Sequence, residues 1–89
     1  MSLEQEFIFG QEAEKVIQNK AYQFALTAIR GEIFSKLESV KVLASNQDEV
    51  NGLVMSLQSI NAFQEELESM MTNGEFARKE LERNNTKKG

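Results

Sequence analysis

Apolar residues return every three or four positions along most of this chain, and no proline interrupts them. That spacing places apolar side chains on one face of an α-helix, and a chain without proline can form long helices. A first helix is predicted from Gln11 to about Ala44, and a second from about Gln47 to Thr72. The sequence therefore predicts an all-α fold.

The segment ASNQDE, residues 44–49, separates the two predicted helices. Ser45 followed by Asp48 resembles a capping box that starts the second helix. Because so short a connection folds one helix back on the next, we expect an antiparallel helical hairpin. The second helix is predicted to stop at Asn73 or Gly74, residue types that close helices in the left-handed conformation, and a short C-terminal helix follows.

The apolar positions cover more of the first helix than one partner helix can bury. Two stripes share this helix: Ala13, Ile17, Ala21, Phe24 and Ala28, then Leu26, Ile29, Ile33, Leu37 and Val40. The second helix has a seven-residue repeat, interrupted at Gln64, through Val50, Leu53, Leu57, Ile60, Leu67 and Met71. A hairpin is only two helices thick, so we expect the chain to assemble as a helical bundle oligomer, most commonly a dimer.

The 89-residue chain contains neither cysteine nor histidine. This composition excludes disulfides, thiolate metal sites and the familiar catalytic triads, and no phosphate-binding glycine loop is present. Glu65, Glu66 and Glu68 cluster on the second helix but do not share one face, which favours a solvated surface over a metal or acid–base site. We expect a protein that is not an enzyme, with no catalytic residue, no cofactor and no metal.

The net charge of −4 is unevenly distributed. Residues 1–14 are acidic, whereas residues 78–88 are mainly basic, so the two ends either pair between subunits or remain as solvated termini. A weakly acidic chain lacks the electrostatic pattern of a nucleic-acid binder. No apolar run approaches the length of a membrane span, and acidic residues stand where a secretory signal has basic ones, which favours the cytoplasm without a membrane partner.

Phe7, Ile8 and Phe9 form an apolar run immediately before Gly10. This run is either an anchor on a neighbouring subunit or partner, or an extension of the first helix. The predicted organisation is an apolar segment over 1–10, a hairpin domain over 11–83 and a disordered polar tail over 84–89. Large aromatic side chains anchor interfaces most often, so the expected contact residues are Phe7, Ile8, Phe9, Phe24, Phe34, Phe63 and Phe76.

Three features have two interpretations each. Gly31 marks either a bend or close helix approach, or a tolerated surface position. Asn61 and Gln64 either set the register of an oligomer or lie on the surface. The three methionines of the second helix either form an adaptable binding surface or belong to the core: Met55, Met70 and Met71.

Residues 13–82 resemble a family of small helical proteins encoded by tailed bacteriophages and prophages. The stretches that carry the resemblance are AEKVIQN, AYQFALTAIRGEIF and QDEVNGLVMSLQSINAFQEELESMMTNGEFARKELE, especially around Asn19 and Ala21, at the helix start Asp48–Glu49 and at TNGEFA, residues 72–77. Relatives often have an aromatic residue, usually tryptophan, near positions 34 and 53, where this chain has Phe34 and Leu53.

The resemblance implies a phage-derived gene in a virion-structure or morphogenesis module, and it supplies no catalytic residues. We therefore expect self-association and contacts with other virion proteins, in the host cytoplasm or within the particle. The alternative is a small phage-encoded regulator that binds a host protein or nucleic acid through its basic C-terminal segment. A secreted hairpin of the Trp-x-Gly type is less favoured, because ASNQDE lacks that motif.

Overall fold

In a computed structural model, which describes residues 1–40 and 44–88, every long element is an α-helix. Helix α1 spans Leu3–Gln18, α2 spans Lys20–Ser39, a single 3-10 turn spans Ala44–Asn46 and α3 spans Gln47–Lys88. The all-α prediction is confirmed, and the second long helix starts at Gln47 as predicted.

The first helix begins earlier than predicted because Ser2 caps it. The Ser2 hydroxyl accepts a hydrogen bond from the Gln5 backbone N–H, and the Gln5 side chain accepts one from the Ser2 N–H, both at 3.2 Å. This reciprocal pair satisfies backbone donors that a helix start leaves open. The run from Phe7 to Phe9 is therefore part of α1, although Ile8 and Phe9 are exposed and do not cover the chain's own helices.

A single residue, Asn19, divides the predicted first helix in two. Its backbone is extended (φ −68°, ψ 123°), and its Oδ1 atom accepts a hydrogen bond from the Tyr22 N–H at 2.9 Å. The Gln23 side chain donates to the Ile17 carbonyl at 2.8 Å and so covers the end of α1. Asparagine is a preferred N-cap, so the interruption has a local cause that the apolar pattern did not show.

The predicted stop at Asn73 or Gly74 is wrong, because α3 continues through both to Lys88. No described glycine has a positive φ, so Gly74 does not close the helix. The predicted short C-terminal helix is the last part of α3. Helix also extends through residues 84–88, where the sequence predicts a disordered tail.

Helices α1 and α2 follow one another along α3 and run antiparallel to it. Gly10 lies against Gly74, Tyr22 against Phe63, and Arg30 against Asn61. As far as Leu67, the seven-residue repeat of α3 lies on the side that contacts the other helices. Beyond Leu67, where α3 packs on α1 instead of α2, this contact side shifts to Met70 and Gly74. Met71, which the repeat places in the core, is consequently exposed.

The closest packing in the molecule is a crossing of two glycines. A Cβ atom built on Gly10 would lie 2.6 Å from the Cα atom of Gly74 and 2.9 Å from the Met70 carbonyl oxygen. A Cβ atom on Gly74 would lie 2.6 Å from the Gly10 Cα atom. Ala13 and Ala77, each three residues further along its helix, are also buried. Four small residues therefore let the α1 and α3 backbones touch.

Helix α2 lies farther from α3 than α1 does. Its contact side carries Tyr22, Leu26 and Arg30 instead of small residues, and side-chain size sets the distance between packed helices. The buried apolar residues of the described chain are few: Ala13, Ile33, Leu67 and Ala77. The result is an elongated molecule of 68 × 26 × 14 Å, with a radius of gyration of 19.3 Å against about 12 Å for a compact chain of this length.

We expect Gly10→Ala and Gly74→Ala each to lower the free energy of unfolding by about 1–3 kcal/mol, because the added methyl group must separate two backbones. Urea denaturation followed by circular dichroism, at one fixed protein concentration, measures the change.

Gly31→Ala and Gly52→Ala are the matched controls, since a Cβ at either position would meet no described atom within 4 Å beyond the adjoining backbone of its own helix. These two changes should raise the stability by about 0.5–1 kcal/mol through better helix propensity. Equal effects at all four glycines would contradict the crossing. The open surroundings of Gly31 also favour its interpretation as a tolerated surface position.

Candidate interaction surface

The middle of the molecule is nearly free of charge. Residues 21–29 of α2 and residues 50–64 of α3 contain no Asp, Glu, Lys or Arg, on any side of either helix. The two stretches lie together, since the rings of Tyr22 and Phe63 are 6.4 Å apart. We call these two stretches the uncharged belt. Depletion of charge is the compositional mark of the centre of a protein interface.

Large apolar side chains of the uncharged belt are exposed to solvent. They comprise Phe24, Ile29, Val54, Met55 and Phe63. Phe24 is 76% exposed and Phe63 is 56% exposed, although both belong to helices that already pack in the chain. A two-helix cross-section buries one stripe of each helix, so a helix that is apolar on several sides keeps the others in water.

An apolar groove of about 350 Å³ opens on one side of the α2–α3 contact. Its walls are, from α2, Tyr22, Ala25, Leu26 and Ile29, and, from α3, Ser59, Ile60 and Phe63. The groove exists because α2 lies away from α3 while Ala25 and Ser59 are too small to fill the gap. We call this cavity the belt groove.

The belt groove contains a polar atom with no partner. The Tyr22 hydroxyl is buried and makes no hydrogen bond to any described residue. Leaving a buried hydroxyl unpaired costs about 1–3 kcal/mol. Tyr22 is therefore held by the packing of its ring, which lies tilted against the Phe63 ring, and not by its oxygen.

Arg30 adjoins the belt on α2 and contacts α3 through residues that do not line the groove. Its Nη2 atom donates to Asn61 Oδ1 at 2.9 Å and also to Gln64 Oε1. No described carboxylate pairs with it within 4 Å. Neither interpretation of Asn61 and Gln64 included the contact that the structure shows: within the chain, both amides accept hydrogen bonds from the half-buried Arg30 guanidinium.

Where α1 packs on the C-terminal part of α3, the acidic start and the basic end of the chain come together. A second groove, of about 590 Å³, contains Phe7 and Glu14 of α1 and Phe76 and Lys79 of α3. The acidic start and the basic end that could have paired between subunits therefore lie side by side in one chain.

Ion pairs within α3 neutralise much of the basic segment. Arg78 pairs with Glu75 and, at 2.6 Å, with Glu82, and Arg83 pairs with Glu80. The side-chain hydrogen bond from Arg78 lowers the pKa of Glu75, and the same bond raises the pKa of Arg78. Both residues stay charged at neutral pH, and their charges largely cancel.

The predicted contact residues do not form one surface. Phe7 is half-buried and shares the second groove with Phe76, whereas Phe63 borders the belt groove. The remaining four are exposed and line neither groove: Ile8, Phe9, Phe24 and Phe34. Their role as interface residues stays a prediction.

Sequence reasoning missed the residues that set the helix distances. Gly10 and Ala13 on α1 and Gly74 and Ala77 on α3 repeat one small-residue spacing, which was visible in the sequence. Asn19 was visible too, as a helix cap between two helical stretches. The uncharged belt could likewise be identified from the charge pattern.

Within the part of the chain that the structure describes, no three potential metal-ligating side chains come together, and no helix has the length and hydropathy needed to cross a membrane. No family model, curated protein or solved structure matches this chain.

A double-mutant cycle tests the Arg30–Gln64 contact. We expect Gln64→Leu to destabilise the chain, because the guanidinium keeps only Asn61 as acceptor, and the added Arg30→Leu change to recover part of the loss. The coupling between the two changes should be about 1 kcal/mol by urea denaturation. Gln58→Leu, an exposed position of the same helix, is the control and should show additive behaviour with Arg30→Leu. Additivity at Gln64 as well would contradict the contact.

Proposed function

We propose that this chain acts without catalysis, as a helical hairpin that self-associates into a bundle and works through protein–protein contacts. The observation that carries the proposal is the uncharged belt, which exposes five large apolar side chains around a two-helix cross-section. When a partner removes apolar side chains from water, the free energy of the system falls. Uncharged surroundings favour such a contact because no charged group has to lose its water.

The exposed area supports the same proposal. The chain exposes 6863 Å², whereas a compact monomer of 10.1 kDa exposes about 5,300 Å². The excess of about 1,600 Å² corresponds to two interface faces of about 800 Å² each, the size that specific complexes bury. Pairing with further helices is the simplest way for an elongated chain to cover this surface.

The biological setting comes from the resemblance to small helical proteins of tailed phages and prophages. In line with that resemblance, we propose a structural or assembly accessory role in the host cytoplasm or within the particle, with virion proteins as further partners. A non-enzymatic bundle suits such a role, because assembly proteins act by presenting surfaces.

The alternative, a regulator that binds a host protein or nucleic acid through its basic C-terminal segment, has less support. Arg78 and Arg83 pair with carboxylates of their own helix, and acidic α1 lies beside them. Phosphate binding would have to replace those pairs. A salt-dependent shift of DNA in a gel, lost when the basic residues of segment 78–88 are replaced by glutamine, would support the alternative over self-association.

The self-association test uses the unmodified chain. We expect sedimentation equilibrium to give a mass of two copies or more at micromolar concentration, and the Tm to rise with protein concentration, because association stabilises the folded chain by mass action. A single-copy mass with a constant Tm over the whole range would contradict the proposal.

Salt dependence separates two modes of association. An association that buries the uncharged belt should persist or strengthen in 1 M salt, where the Debye length is only about 3 Å. Pairing of acidic α1 with a basic segment of another copy should weaken under the same conditions. Loss of the oligomer in high salt would therefore contradict the belt as the contact surface.

A further inference from the structure

We propose that the belt groove is filled by a second copy of this chain, with Phe63 of each copy inserted in the groove of the other. This inference rests on the proposed self-association and names its contact. The partner is thus identical, and the arrangement is two-fold symmetric.

The chemistry of the groove selects an uncharged, apolar occupant. None of the described residues that line it is charged, and its surface is almost wholly apolar. The Tyr22 hydroxyl is itself buried and so is not available to an occupant. A charged or strongly polar ligand would therefore lose its hydrogen bonds with water without replacing them. An aromatic or aliphatic side chain loses none.

This chain itself carries a suitable side chain at the rim of the groove. Phe63 borders the cavity through its contact with Tyr22, yet 56% of it is exposed. A two-fold axis beside Phe63 places the ring of one copy over Ala25 and Ser59 of the other, and the reverse contact follows by symmetry. Because the belt groove and the projecting Phe63 ring lie on the same small surface, that surface is complementary to itself.

The neighbouring residues allow the two copies to approach closely. Ala21 and Ala28 lie at helical spacing beside Ala25 on α2, and Ser56 lies beside Ser59 on α3. The nearby guanidinium of Arg30 contacts α3 through residues that do not line the groove, so filling the groove does not break those contacts. The exposed area in excess of a compact monomer is sufficient for such an interface.

Two substitutions test the contact. Phe63→Glu removes the inserted ring and adds a charge, and Ala25→Phe fills the groove while making the surface more apolar. We expect each to raise the dissociation constant about thirty-fold or more, the effect of losing a central aromatic anchor, with helicity by circular dichroism unchanged. Non-specific hydrophobic association predicts the opposite for Ala25→Phe, because an added apolar side chain would lower the dissociation constant.

Val16→Glu is the control, because Val16 is an exposed apolar residue of α1 that lies outside the uncharged belt and lines neither groove. It should leave the dissociation constant within about three-fold of the unmodified value, a difference too small to indicate a central contact. Unchanged association of Phe63→Glu and Ala25→Phe would overturn the inference and leave the proposed function standing. An unmodified chain that stays a single copy at all concentrations would overturn both.

Disulfide trapping gives a measurement that does not depend on the stability of these variants. The chain has no cysteine, so a single introduced cysteine can only join two copies. We expect Ser59→Cys to oxidise to a covalent dimer and Thr27→Cys, which is exposed and does not line the groove, to remain mostly monomeric. Equal trapping at both positions would overturn the proposed geometry.

Discussion

The backbone contact between Gly10 and Gly74 determines how the rest of the chain is arranged. Because an added Cβ would lie 2.6 Å from the opposing Cα atom, no other residue can hold α1 at this distance. Packing this close brings many backbone and Cβ atoms into contact, but it buries few large side chains. Phe9 and Phe76 therefore remain at the sides of the crossing, and the chain uses its smallest residues for its tightest contact.

The contrast between the two halves of the molecule produces the surface on which the functional proposal depends. Helix α2 meets α3 through larger side chains and stands farther off, which opens the belt groove beside Ala25 and Ser59. The extended residue Asn19 permits this difference, because it lets α1 and α2 take separate positions along one uninterrupted helix. A continuous first helix would have held both halves at one distance.

The apolar periodicity predicted that the chain is helical and that the repeat from Val50 to Leu67 makes contacts, because burial of an apolar stripe decides these features. The start of α3 at Gln47 was predicted from the break at ASNQDE and its capping residues. The periodicity could not predict that Gly74 stays helical. A glycine after Asn73 is a common helix stop, and only the approach of Gly10, sixty-four positions earlier in the sequence, gives it a different use. The caps at Ser2 and Asn19 depend only on nearby residues, so the sequence contained the information for them. Residue propensity alone, however, does not tell whether such a polar residue caps a helix or lies within it. The aromatic residues were predicted to be exposed contacts, and the sequence did not tell which of them share a groove.

The distribution of charge adds a constraint on where copies of such a rod can meet. One end of the molecule carries acidic α1 beside the basic part of α3, and these charges are largely compensated within the chain. If one copy slid along another from the proposed position, the apolar side chains of the belt would face charged groups, and those groups would lose water without gaining a partner. A meeting of belt with belt avoids that cost. Exposed apolar side chains also lie outside the belt, such as Phe9, Phe34 and Phe76, but charged residues of the same helices stand close to them in the sequence. Among the possible registers, belt on belt is therefore the one that sets the longest charge-free stretches against each other.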